Sequence, residues 1–120
     1  MSMELQALGG EAALASVVGD CLHRARDDER LATWFADVDT ATLAARVVPV
    51  LARLLAGGPV PSERLRAAHA ALVQRGLGDE DFDALMYHFC ASLEARELPM
   101  DRVARCARIL EGVRRDVLGR

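Results

Sequence analysis

Apolar residues in this chain of 120 residues recur with a period near 3.6, and nowhere with a period of two. The clearest run is Glu11 to Arg26, where Leu14, Val17, Val18, Cys21, Leu22 and Ala25 fall at i, i+3, i+4, i+7, i+8 and i+11. That spacing sets one apolar stripe along a helix and leaves His23 on the opposite, solvated side. Leu43, Val47, Val50, Leu51 and Leu54 mark a second long helix, capped by Asp39 or Thr40 and ended by Gly57-Gly58-Pro59 with Pro61. Pro49 falls inside it, where it cannot donate to the Ala45 carbonyl and is expected to kink the axis. Phe82, Leu85, Met86, Phe89 and Leu93 mark a helix opened by Asp79 and running to about Glu97, with Tyr87 pointing away and His88 flanking the stripe. Val103, Cys106, Leu110, Val113 and Val117 mark a last helix from about Met100 to Val117. A short helical lead-in, Met1 to Leu8, is broken by Gly9-Gly10.

The fold class is therefore all-α, and one domain over residues 1–120 is expected. Hydrophobic residues make up 52% and aromatic residues only 4%, so the core must be mostly Leu, Val and Ala, which suits packed helices better than a β-sandwich. The net charge is -3, and all 15 basic residues are arginines spread over several helices, which argues against a nucleic-acid surface. Cys21, Cys90 and Cys106 lie on or beside apolar faces and form no Cys-x-x-Cys or Cys-x-x-Cys-His motif, so buried free thiols are expected. Cys21 and His23 point apart on their helix and make no metal pair. With no signal-peptide pattern and no apolar run long enough for a bilayer, a cytoplasmic location is expected and no membrane partner.

Two stretches can carry chemistry. In Arg64 to Leu72 a short helix, opened by Ser62, places Leu65, Ala68, His69 and Leu72 within one arc. An imidazole there looks into the core, and taken alone it is most often a core histidine bonded to a carbonyl. In the connector after Arg30, Leu31, Trp34 and Phe35 bring three large apolar side chains together, either as a core plug or as the wall of a flat ligand pocket. Neither paired carboxylates nor a Ser-His-Asp pattern falls near His69.

The order of these pieces resembles the truncated haemoglobins, particularly the group with glycine motifs between helices. The resemblance is carried by LGGEAAL at Leu8 to Leu14, RLATWFADVDTATL at Arg30 to Leu43, GGP at Gly57 to Pro59 and LRAAHAAL at Leu65 to Leu72, and it runs from about Ala7 to Val117. It implies a two-over-two helical sandwich around haem b (iron protoporphyrin IX), with His69 as the proximal iron ligand and Phe35 packed on the porphyrin. Leu65, Leu72, Leu85 and Phe89 then become pocket neighbours. Arg46 and Arg66 are either propionate partners or solvated surface arginines, and the two readings stay open.

The ligand side departs from the family. Where its members usually place a tyrosine, this chain has Leu22; where a glutamine or similar donor often stands, it has Val47; Leu43 fills the place nearest the distal histidine of ordinary globins. All three are apolar, so no side chain is expected as a sixth iron ligand and little discrimination in favour of oxygen over carbon monoxide. The resemblance implies small diatomic ligands (oxygen, carbon monoxide, nitric oxide), oxygen binding or transport, and a monomer or weak homodimer. It leaves open an electron-donating reductase and nitric oxide dioxygenase or other haem redox activity. The alternative is a haem-free globin-fold interaction or regulatory domain.

Overall fold

The computed structural model describes residues 4–120. The first three residues of the expected lead-in lie outside the described residues. The helices are α1 (Glu4–Leu8), α2 (Gly10–Arg26), α3 (Ala32–Phe35), α4 (Thr40–Leu55), α5 (Ser62–Gln74), α6 (Asp79–Ala95), α7 (Met100–Glu111) and α8 (Arg114–Val117), and no strand occurs among the described residues.

α2 organises the molecule. It packs against α4 on one side and α6 on the other, while α6 continues onto α7, giving two helices stacked over two. The stripe read from the sequence is the buried one: Leu14, Val17, Val18, Cys21, Leu22 and Ala25 are all buried. Leu14, Leu55 and Leu93, one from each of α2, α4 and α6, are fully enclosed. Each such leucine contributes roughly 1.5–3 kcal/mol of burial, so these three helices carry most of the stability. α1 is tied to α7 by Arg102 Nη1 donating to Glu4 Oε2 at 3.3 Å.

Local chemistry explains the boundaries. Gly9 and Gly10 adopt φ of 117° and 85°, which lets α1 turn directly into α2. Asp39 caps α4, its Oδ1 accepting from the Ala41 and Thr42 amides at 3.0 and 3.3 Å. α4 ends in a Schellman motif: Gly58 N–H donates to the Arg53 carbonyl at 2.7 Å and Gly57 N–H to Leu54 at 3.0 Å. A Cβ on Gly58 would lie 2.8 Å from the Arg53 oxygen, so glycine is required there.

Three expectations are revised. The aromatic connector contains a turn of helix, α3. The last helix is two, because the backbone breaks at Gly112 and Val113. The N-cap of α6 is Gly78, with Asp81 in the first turn accepting from its N–H at 3.0 Å. α4 runs unbroken through Pro49, which is exposed, so the missing donor leaves the Ala45 carbonyl beside water.

Candidate functional site

α5 differs from every other long helix in burying no side chain. It packs principally against the short α8, and not closely on α4 or α6. Leu65, His69, Leu72 and Val73 are half-buried, at i, i+4, i+7 and i+8, while Arg64, Arg66, Ala67, Ala68 and Ala70 are exposed. Ala68 therefore leaves the arc assigned to it. The facing helices show the same half-burial: Phe35 on α3, Leu43 and Val47 on α4, and Leu85 on α6 pack on the edge of the core without being enclosed. Phe89 and Leu22 lie deeper and are buried, at 4% and 6% exposure.

α4 explains the division. The expected stripe of Leu43, Val47, Val50 and Leu51 is the half-buried one, and only Leu54 of that set is enclosed. The face that seals against the core is a second one, Val48, Ala52 and Leu55. α4 is apolar over a wide arc: one part is sealed into the core and the rest packs half-buried at its edge.

His69 is the polar residue among the half-buried positions of α5 that carry Leu65, Leu72 and Val73. Its Nδ1 lies 2.7 Å from the Leu65 carbonyl oxygen, one turn earlier on the same helix. A carbonyl can only accept, so Nδ1 donates to it and Nε2 is the nitrogen left for another partner. That is the arrangement which orients a histidine ligand and leaves its other nitrogen for a metal. A nitrogen of this kind suits a metal at the centre of a flat apolar group. Cys21, behind this region, is a poor donor, because burial pushes its thiol up to about 12.

The two arginines part ways. Arg46 is exposed on α4 and has no ion pair among the described residues. Arg66 has an internal partner: its Nη2 donates to Asp116 Oδ1 at 2.9 Å. Asp116 thus links Arg66 to α8.

Several contacts escaped sequence reasoning because they join distant segments. Trp34 Nε1 donates to Asp81 Oδ1 at 3.1 Å and Arg75 lies over the indole ring, which fixes α3 against the α5–α6 corner. Ser62 Oγ donates to the second oxygen of Asp116 at 2.9 Å. No periodicity could have announced Asp116, since both of its partners lie 50 or more residues away. Away from this region, a surface cleft of about 360 Å³ is lined by His23, Asp27, Asp28, Tyr87 and His88. There His88 Nε2 sits 2.7 Å from Asp28 Oδ2, and this bond, with the Arg30 amide, holds the Asp28 carboxyl below the usual carboxylate range. The cleft shares no residue with the His69 set.

No protein-family model matches the chain. It is 34% identical over 122 residues to the group 1 truncated hemoglobin GlbN of Synechocystis sp., covering 98% of each chain. Its fold is similar to the 2/2 hemoglobin of Synechococcus sp. in the cyanomet state with covalently attached heme, at a TM-score of 0.87 and 28% identity over 98% of each chain. It is also similar to the truncated hemoglobin of Tetrahymena pyriformis in the Fe(III) form, at a TM-score of 0.84 and 26% identity over 98% of each chain.

Proposed function

The chain belongs to the truncated haemoglobins, and from that membership we propose that it holds haem b through His69 and takes a diatomic gas on an apolar ligand side. The observation that carries this reading is the 2.7 Å contact from His69 Nδ1 to the Leu65 carbonyl, on a helix whose inner apolar face is only half-buried. The bond from Nδ1 to the carbonyl keeps the ring aimed and adds basicity to Nε2 as an iron ligand.

The other side chains have the following roles. Phe35 packs on the porphyrin, and Leu65, Leu72, Leu85 and Phe89 surround it and exclude water. Arg46, with no ion pair among the described residues, is the propionate partner; Arg66 also pairs with Asp116. Leu22, Leu43 and Val47 line the ligand side. Haem, when bound, would supply an iron that takes oxygen, carbon monoxide or nitric oxide. No acid or base among the surrounding side chains is placed to move a proton, so these residues bind, orient and exclude water. Turnover of nitric oxide would draw its electrons from a separate reductase.

The test is the visible spectrum of protein expressed with ample haem. Wild type should show a Soret band and a five-coordinate ferrous form, and His69→Ala should lose that ligation while His23→Ala and His88→Ala keep it. Adding imidazole to His69→Gly should restore the band. A His69→Ala protein with unchanged iron ligation would overturn the assignment. A colourless wild type under the same haem supply would favour the haem-free reading.

A further inference from the structure

α5 carries His69 and yet has no buried side chain of its own to hold it in place. Its first half is tied to α8 through one carboxylate. Asp116 on α8 has a side chain only 13% exposed. Its Oδ2 accepts from Ser62 Oγ and its Oδ1 from Arg66 Nη2, both at 2.9 Å. Ser62 and Arg66 are one turn apart, and Leu65, whose carbonyl orients the His69 ring, lies between them. His69 follows Arg66 by three residues. The two donors hold the Asp116 carboxyl below the usual carboxylate range, so it is ionised at neutral pH.

α8 is itself anchored. Arg114 stacks on the Phe82 ring at 4.5 Å and donates to Asp79 Oδ1 at 3.1 Å, to Glu111, and to Asp83. These contacts fix α8 to the first turn of α6, which belongs to the rigid part of the molecule. Asp116 is then the link by which that frame sets the height and tilt of α5.

We propose that Asp116 is a positioning residue for His69, holding the ligand helix at the distance from the core that iron ligation needs. The inference rests on the reading of His69 as the iron ligand. Two routes remove the link: Asp116→Ala from the α8 side, and Ser62→Ala with Arg66→Gln from the α5 side. Two measurements on the haem-loaded protein read it, the rate of haem transfer to excess apomyoglobin and the iron–histidine stretching band of the ferrous form.

Haem loss should quicken about tenfold by either route, since the removed contacts include a charge-assisted hydrogen bond. The stretching band should shift or broaden, and helix content should stay at the wild-type level. Combining all three substitutions should add little, because both routes cut one connection. An unmoved band and haem loss within twofold of wild type by both routes would overturn the proposal, and His69→Ala abolishing the band would then leave the iron-ligand reading standing. If the band survives His69→Ala, that reading falls and this inference with it.

Discussion

A histidine on the inner face of a helix is ordinarily satisfied by its surroundings, and His69 is satisfied at only one of its two nitrogens. The Leu65 carbonyl accepts from Nδ1, and Leu65, Leu72 and Val73 are the half-buried residues that share its helix face. At this scale the sequence was informative where a residue acts within its own helix. The inward turn of His69 follows from periodicity, and so does the apolar character of Leu22, Leu43 and Val47. It was uninformative where a residue acts through a distant partner, as Arg66 does through Asp116. The ligand side offers a direct prediction. Leu22→Tyr places a hydroxyl donor among apolar neighbours, and oxygen as a ligand gains from a donor while carbon monoxide gains little. Oxygen release should slow by roughly 1–3 kcal/mol, or about one to two decades, and carbon monoxide release much less. The buried position of Leu22 sets the limit, because a phenol must fit where a leucine is enclosed. Stopped-flow dissociation of both gases checks this. Equal changes for the two would mean a steric effect, and slow oxygen release in wild type would mean that another donor already reaches the ligand.

Helices were legible because each needs only its own residues to be recognised. α2 was found within a residue at its start, and Gly57-Gly58 marked the end of α4 because a Schellman turn demands a left-handed residue. The misreadings came from packing. The stripe of Leu43, Val47, Val50 and Leu51 on α4 is half-buried and a second face is sealed, since a helix apolar over a wide arc does not say which half is enclosed. The break between α7 and α8 was missed because Val103 to Val117 keeps its apolar spacing across the bend. One element still carries a local conflict. The Schellman turns after α4, α5 and α8 put Gly57, Gly76 and Gly119 in the left-handed region, but the turn after α6 puts Glu97 there, at φ 62°. A side chain in that region costs about 1 kcal/mol relative to glycine. Glu97→Gly should therefore raise the melting temperature by a few degrees without altering the spectrum of the haem-loaded protein. No gain in a thermal melt would mean that the exposed Glu97 side chain, or the greater freedom of glycine in the unfolded chain, offsets the relief.

Across the whole molecule, stability is divided between a sealed part and a tethered part. α2, α4, α6 and α7 share one continuous buried cluster, while α5 contributes no buried residue to it and is held to α8 by Asp116. Polar pairs near the surface are weak compared with buried leucines. The helix bearing His69 should thus open without the core opening, and a group bridging it to α4 and α6 should close it. Amide hydrogen exchange followed before and after haem addition measures this. In the haem-stripped protein, α2 and α6 should exchange close to the global unfolding limit, whereas α5 should exchange far faster. Haem in excess should protect α5 more than any other helix. Ligand at about 1,000 times its dissociation constant stabilises the state that binds it by about 4 kcal/mol, which allows slowing of up to about three decades. The amides of α8 should follow α5 partway, because one end of the tether belongs to each. Protection of α5 equal to that of α2 in the stripped protein would show that its docking is not the weak step. Protection gained mainly by α2 would show that the group binds elsewhere than between α5 and the core.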